Sequence, residues 1–417
     1  MSERSHSIAT AADAVESGAA KAPLTPATAL ATAREIEPWL VTVRRELHQR
    51  PELGLEEHWT SGRIQELLTE IGVPFRAGLA RTGVVGTIGG RSAGPVVALR
   101  ADIDGLPLTD AKDVPYRSRV EGMMHACGHD VHTTVLLGAA RILAGLGDEL
   151  AGTVRLIFQP AEETVGGAEL LIAEGVLEDP PVDAIFGLHV EPRLDVGKIG
   201  LHYGHRNAAS DSLNLVIHGR AGHGAYPAGT VDAVVAAAHV VTALQTVVSR
   251  NVDPRRSAVA SFGTIHGGGQ QNIVANRVEL TGTVRTLDPE TRELVLERVR
   301  RTAEGVAAGF GARAELEIEP GYDALINDDR MVEVVRANAV EMLGEDNLVV
   351  QPEPNMGVED FAYYLQKRPG AFYSLGVRND EKGIVHSVHH DRFDVDESCL
   401  AIGAAIQAMN ALAVLRG

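Results

Sequence analysis

The sequence predicts an α/β protein interrupted by an inserted α+β domain, and three observations lead to that reading. Apolar runs at 96–100, 153–159 and 184–188 have the length and composition of buried strands, with helical periodicities between them. From about residue 207 the order changes to β-α-β-β-α-β, that of a split βαβ, ferredoxin-like sandwich, and beyond Pro320 the α/β pattern resumes. At 417 residues the chain also exceeds one ordinary core. The expected division is a disordered or loosely helical extension at 1–34, one domain formed by 35–206 and 321–417, and the inserted domain at 207–320.

Taken in order, Ile36, Leu40, Val43 and Leu47 recur at helical spacing, and Pro51 ends that helix. A second helix is expected over 56–71, then strands at 84–88 and 96–100. A helix over 131–146 precedes the strand at 153–159, and the strand at 184–188 follows. Leu213, Leu215 and Ile217 alternate as in a half-buried strand. A helix over 232–250, strands at 257–265 and 277–286, a helix over 289–309 and a strand at 313–319 complete the inserted motif. The last segment offers a helix over 328–343, a buried strand at 371–375 and a closing helix from Glu397, in which Cys399 reads as a core residue.

Acidic residues outnumber basic ones by 56 to 38, a net charge of −18, which argues against nucleic acid or an anionic membrane surface as a partner. No run is read as a membrane span. The N-terminal stretch is rich in Ala, with Ser, Thr and Pro, and lacks the continuous apolar core of a secretory signal. Cys127 and Cys399 stand too far apart to suggest a disulfide framework, which suits a reducing, cytoplasmic setting.

The chemistry-bearing residues sit where the strands end. MHACGHD at 124–130 brings Cys127 and His129 within one glycine of each other, and thiolate and imidazole are borderline-soft ligands for Zn²⁺ or Mn²⁺, with Ni²⁺ or Co²⁺ also accepted. The helix that follows would favour a thiolate at its N-terminus. Asp102 and Asp104 close one strand, the adjacent Glu162 and Glu163 follow another, and His189 ends a third, the place where open α/β sheets build sites. Neighbours in an extended segment point oppositely, so one of the two glutamates can ligate a metal while the other reaches a water. Glu359 and Asp360 are candidate supporting or helix-capping acids. His386, His389 and His390 crowd one loop, and spacing alone does not choose among them. In the inserted segment His223 lies between glycines, Asn272 follows a glycine run, and Arg285 nears a strand end.

These segments resemble the M20 metallopeptidases, in particular their N-acyl-amino-acid amidohydrolases: hippurate hydrolases, auxin-conjugate hydrolases and N-acetyl-diaminopimelate deacetylases. The matching motifs are RELHQRPELG at 45–54, LRADIDGLP at 99–107, HACGHDVH at 125–132 and FQPAEE at 158–163. GLH at 187–189, GH at 222–223, MGVEDF at 356–361 and HHDRF at 389–393 extend the likeness from about residue 35 to the C-terminus. The resemblance implies a catalytic domain with a mixed sheet and flanking helices, and a lid or dimerisation role for the inserted domain. It implies that Cys127 bridges two divalent metal ions and that His129, Glu163, His189 and His389 complete the ligand set. It gives Glu162 the role of general base and makes Asp104 an acid that orients a ligand. His223 would reach the substrate carbonyl, from a partner subunit of a homodimer, while Asn272 and Arg285 would face the substrate. The implied substrate is a small N-acyl amino acid. Dipeptidases and carboxypeptidases of the wider family, and a non-catalytic relative, are the alternatives. Ala228 and Ala233 depart from the family's usual Pro-His and Asp-Pro, which bears on pocket shape.

Overall fold

The computed structural model describes residues 24–89, 94–147 and 150–417. Helices α1 (Pro26–Glu35), α2 (Glu37–His48) and α3 (His58–Ile71) lead into strands β1 (Phe75–Leu79), β2 (Gly83–Gly89) and β3 (Val96–Asp102). Helix α4 (His129–Ala144), β4 (Thr153–Gln159), α5 (Gly167–Ala173), β5 (Ala184–Asp195) and β6 (Ile199–Leu201) follow. The short β7 (His205–Asn207) leads to β8 (Ala209–His218), β9 (Gly222–His223), α6 (Ala233–Asn251), β10 (Ala258–Gly267) and β11 (Ile273–Val274). Next come β12 (Arg277–Thr286), α7 (Pro289–Gly309) and β13 (Arg313–Pro320). The chain returns through β14 (Leu325–Ile326), α8 (Asp329–Leu343), β15 (Leu348–Val350), α9 (Ala362–Lys367), β16 (Gly370–Arg378) and α10 (Cys399–Arg416).

Two sheets carry the architecture. The larger has the order β1-β2-β4-β3-β5-β16-β6-β15, with β4, β3, β5 and β16 parallel at its centre and antiparallel pairs at β1–β2, β2–β4 and β16–β6. Side chains of β3 alternate between two apolar layers. Val97 and Leu99 join α4 and α10 on one face, while Val96 and Ala98 join Leu171, Phe361 and Tyr364 on the other. Burial on both faces is why this strand reads as a continuous apolar run. The smaller sheet has the order β10-β12-β8-β13, with β12 running antiparallel between β8 and β10, so the βαβ unit is split as the sequence order implies. Helices α6 and α7 bury Val240, Leu244, Val295 and Val299 against Leu213, Leu215 and Ile217 of β8.

Some expectations need correction. Within the stretch expected to be a disordered or loosely helical extension, α1 is a regular helix capped by Thr25, and it buries Ala29, Leu30 and Ala33 in the main core. Its alanine spacing is an apolar stripe that needed a partner to be recognised; residues 1–23 lie outside the described residues. Two helices, α6 and α10, are long and apolar enough to cross a membrane by length and composition, contrary to the reading that no run approaches a span. Helix α10 owes its composition to burial, since it is covered by α4, α1 and α8 on successive faces. The short β6, β7, β14 and β15 have too few residues to show a periodicity.

A buried ionic cluster joins α2 and the start of α4 to the C-terminal segment that precedes α10. Arg44 of α2, with no exposed surface, contacts Asp130 at 2.8 Å, Asp394 at 3.0 Å and Glu397 at 3.4 Å. His48 bonds Asp130 at 2.7 Å, and Lys112 reaches the Phe393 carbonyl at 2.8 Å. Asp130 adjoins His129, and Asp394 lies just past the 389–393 loop, so the cluster ties the two loops that carry His129 and His389. Arg44→Met would strand these carboxylates in the interior. The expected loss is about 3–5 kcal/mol of unfolding free energy, measured by chemical denaturation, and a loss below about 1 kcal/mol would contradict this role.

Candidate metal centre

The cluster forms past the C-terminal ends of β3 and β4, at the start of α4, and at His189, which does not end its strand as the sequence suggests but lies within β5, just past its pairing with β3. Gly128 caps α4 in the left-handed region at φ 86°, and a Cβ there would lie 2.5 Å from a Val190 methyl. Only glycine lets the chain turn that tightly against β5, and the turn sets Cys127 beside His189, Sγ to Nε2 at 3.3 Å. The Nδ1–H of His189 donates to the Val190 carbonyl at 2.7 Å, which leaves Nε2 as the free lone pair facing Cys127.

Asp104 braces two neighbours at once. One carboxylate oxygen accepts from His129 Nδ1 at 3.0 Å and the other from the Glu163 backbone N–H at 3.0 Å. His129 Nε2 is then a buried nitrogen with no hydrogen-bond partner. Burial opposes charge on His129, yet Asp102 and Asp104 outweigh it and raise its pKa to about 10, so this pocket calls for a positive charge at the ring. Glu163 meets His389 Nε2 at 3.1 Å, and the backbone N–H of His389 donates to Ala126 at 2.8 Å. His389 at φ 60° and Ala161 at φ 57° both hold a left-handed backbone that non-glycine residues rarely adopt.

The ligand atoms fall into overlapping groups. Cys127, His129 and His189 form one, Cys127, Glu163 and His389 another, and His129, Glu162 and Glu163 a third, each within 4.8 Å. Cys127 belongs to two of them, so the arrangement has capacity for one or two divalent ions, and its mixed thiolate, imidazole and carboxylate donors suit Zn²⁺ and similar cations. Burial, reinforced by Glu163 and Glu162, pushes the Cys127 thiol well above its ordinary range. A bound cation is the positive charge that would reverse this.

Glu162 is buried, and desolvation together with Glu359, Asp360, Glu163 and Asp104 raises its pKa well above the usual carboxylate range. Below it, Arg100 is buried among Asp102 at 2.6 Å, Asp360 at 2.8 Å and Glu359 at 3.1 Å. Glu359 also accepts the Phe361 N–H at 3.1 Å, but α9 is capped by Phe361 without a side-chain bond, so Glu359 does not cap that helix. His125, flanking the motif, is buried with both ring nitrogens unpartnered; burial lowers its pKa to about 3, and it joins none of the ligand groups.

A cleft of about 690 Å³ opens over Cys127, Glu162, Glu163, His189 and His389, and Arg285 of the smaller sheet lines it too. His223 and Asn272 do not line it. They lie together in a β9–β11 ribbon, where Gly224 N–H donates to the Asn272 carbonyl at 2.8 Å and the His223 side chain is exposed. Arg206 and Tyr322 also line the cleft and were missed. Both flank the inserted segment, and the position of a domain junction is the signal that could have found them.

Fold and site together define a metal-dependent hydrolase. The model of peptidase family M20/M25/M40 matches residues 98–412, and the chain belongs to that family. It is 41% identical to an N-acetyl-L-cysteine deacetylase of Bacillus subtilis over 88% of this chain and 85% of that protein. It is 38% identical to a thermostable carboxypeptidase of Saccharolobus solfataricus, over 91% of this chain and 96% of that one. The crystal structure of the YXEP protein of Bacillus subtilis, a dinuclear metal binding peptidase of family M20, superposes with a TM-score of 0.81 at 37% identity, covering 92% of this chain and 99% of that chain.

Proposed function

We propose that this protein hydrolyses the amide bond of N-acyl amino acids, releasing a carboxylic acid and a free amino acid, as a member of the hippurate hydrolase, auxin-conjugate hydrolase and deacetylase group. The observation behind this reading is the placement of Glu162: a buried carboxylate beside, and distinct from, two ligand groups that share Cys127, at the floor of a cleft. In this reading Cys127, His129, His189, Glu163 and His389 would hold the ions, Cys127 belonging to both ligand groups. Mn²⁺ or Zn²⁺ are the first choices, with Ni²⁺ or Co²⁺ compatible. Such ions, when bound, acidify a water and polarise the amide carbonyl.

The chain's own groups supply the rest. Glu162 takes the proton of the attacking water and returns it to the leaving nitrogen. Asp104 keeps the His129 ring in the orientation that offers Nε2, and Arg285 faces the substrate from the cleft wall. The division into 35–206 with 321–417 and an inserted 207–320 supports a lid that closes on substrate. His223 and Asn272 stand outside the cleft of their own chain, which favours a homodimer in which this ribbon reaches the neighbour's site. The two free cysteines suit a reducing compartment, and we place the enzyme in the cytoplasm. The likeness to a thermostable carboxypeptidase favours peptide hydrolysis as the second reading. A screen of N-acetyl, N-benzoyl and longer N-acyl amino acids against dipeptides separates the two.

Glu162→Gln should keep its metal while kcat falls by about 10²–10⁴-fold, and Glu163→Gln should lose metal; assays paired with elemental analysis check both, and reversed outcomes would exchange the roles. For the dimer, mixing inactive Glu162→Gln and His223→Ala chains should restore activity in the hybrid. Subunits that exchange without recovering activity would place His223 within its own chain's chemistry or outside it.

A further inference from the structure

Three arginines line the cleft, and they differ in what they are committed to. Arg193 is held by Glu191 through bonds of 2.9 and 2.8 Å. Arg285 has burial as the main influence on its guanidinium. Arg206 is the unusual one. It is 7% exposed, its Nε is buried without a hydrogen-bond partner, and its terminal nitrogens reach only Asn207 Oδ1 at 2.6 Å and Ser374 Oγ at 3.2 Å. Its guanidinium lies over the Phe372 ring, 4.4 Å from the centroid. Glu359 and Glu191 are its nearest acidic influences, but Glu359 is engaged by Arg100 and Glu191 by Arg193. Among the described residues Arg206 therefore has no ion pair. Burial without such a pair lowers its pKa to about 10.

A desolvated guanidinium without a counterion is costly, and a carboxylate is its best partner because the planar fork matches two oxygens. Every N-acyl amino acid carries the α-carboxylate and the simplest carry no other, whereas the cleft offers two uncommitted guanidiniums on different elements. Arg285 ends β12 and pairs in register with Ser210 of β8, while Arg206 sits on β7. Four residues of near-extended chain, about 13 Å, separate positions 206 and 210, so the two arginines enter the cleft from separate backbone positions.

We infer that Arg206 forms a subsite for a second substrate carboxylate, so that the preferred substrates are dianionic: N-acylated amino dicarboxylic acids, or amino acids acylated by a dicarboxylic acid. This rests on the amide-hydrolase reading above and deepens it. The residue determines specificity and does not touch the reacting atoms.

The test compares N-acetyl-L-glutamate, N-succinyl-L-leucine and N-acetyl-L-leucine on the metal-loaded wild type, Arg206→Met and Arg206→Lys. Arg206→Met should raise KM for at least one dianionic substrate by about 10–100-fold more than for N-acetyl-L-leucine, with a smaller effect on kcat. Arg206→Lys should recover part of that difference, and the dianionic substrate affected identifies whether the second carboxylate belongs to the amino acid or the acyl group. Equal KM increases for all three substrates would overturn the proposal, because Arg206 would then serve the common carboxylate or the fold. Arg206→Gln replaces the Met variant if the latter does not fold. Calorimetric binding of glutarate and butyrate to the same proteins separates this inference from the reaction itself. Glutarate binding that is lost in Arg206→Met without any amide hydrolysis would retain the subsite and discard the reaction. Equal binding of glutarate to wild type and variant would discard the subsite, whatever the enzyme hydrolyses.

Discussion

One carboxylate fixes the geometry on which the site depends. Asp104 leaves the C-terminal end of β3, accepts from the His129 ring with one oxygen and holds the Glu163 backbone with the other. Those two bonds set the start of α4 and the turn after β4 relative to each other, and they decide which nitrogen of His129 is offered. With His189 oriented through its bond to the Val190 carbonyl, two imidazoles turn their Nε2 atoms toward Cys127. The position of β3 at the centre of a parallel sheet makes this possible, because the ends of β3 and β4 deliver Asp104 and Glu162 next to His189 of the longer β5.

The second constraint is charge. Asp102, Asp104, Glu162, Glu359 and Asp360 are all buried around the floor of the cleft. Arg100 compensates Asp102, Glu359 and Asp360, but Glu162 and the Cys127 thiol remain in surroundings that oppose their ionisation. Divalent cations would resolve that imbalance. Arg44, behind the sheet, applies the same logic to Asp130 and Asp394 and so anchors the loops next to His129 and His389.

Much of this was legible in the sequence, for physical reasons that differ by element. Strands β3 and β4 are apolar on both faces, so their runs stand out, and helix α7 begins at Pro289 after a capping Asp288 and ends near Gly309, as the sequence indicates. Glu162 and Glu163 were visible because they follow a buried strand, and Cys127 and His129 because they flank a glycine turn, whereas His389 was singled out among its neighbours only by the resemblance. The state of the Cys127 thiol was not, because it depends on Glu163 and Glu162 approaching through tertiary structure. Arg206 was hidden for a related reason: a three-residue strand has no periodicity, and its burial comes from Phe372 and Ser374, more than 150 residues away. Helix α1 shows the converse case, an alanine-rich segment whose apolar stripe has meaning only once α10 is in place.

The measurement that reaches the central claim most directly is metal binding by Asp104→Asn, made by equilibrium dialysis with Mn²⁺ or Zn²⁺ on protein stripped by chelator. This substitution is nearly isosteric and keeps an oxygen for the Glu163 N–H, but removes the charge facing His129. The account predicts that the folded variant, judged by circular dichroism, binds metal about 10–100-fold more weakly than the wild type. Unchanged metal affinity in a folded Asp104→Asn protein would contradict it.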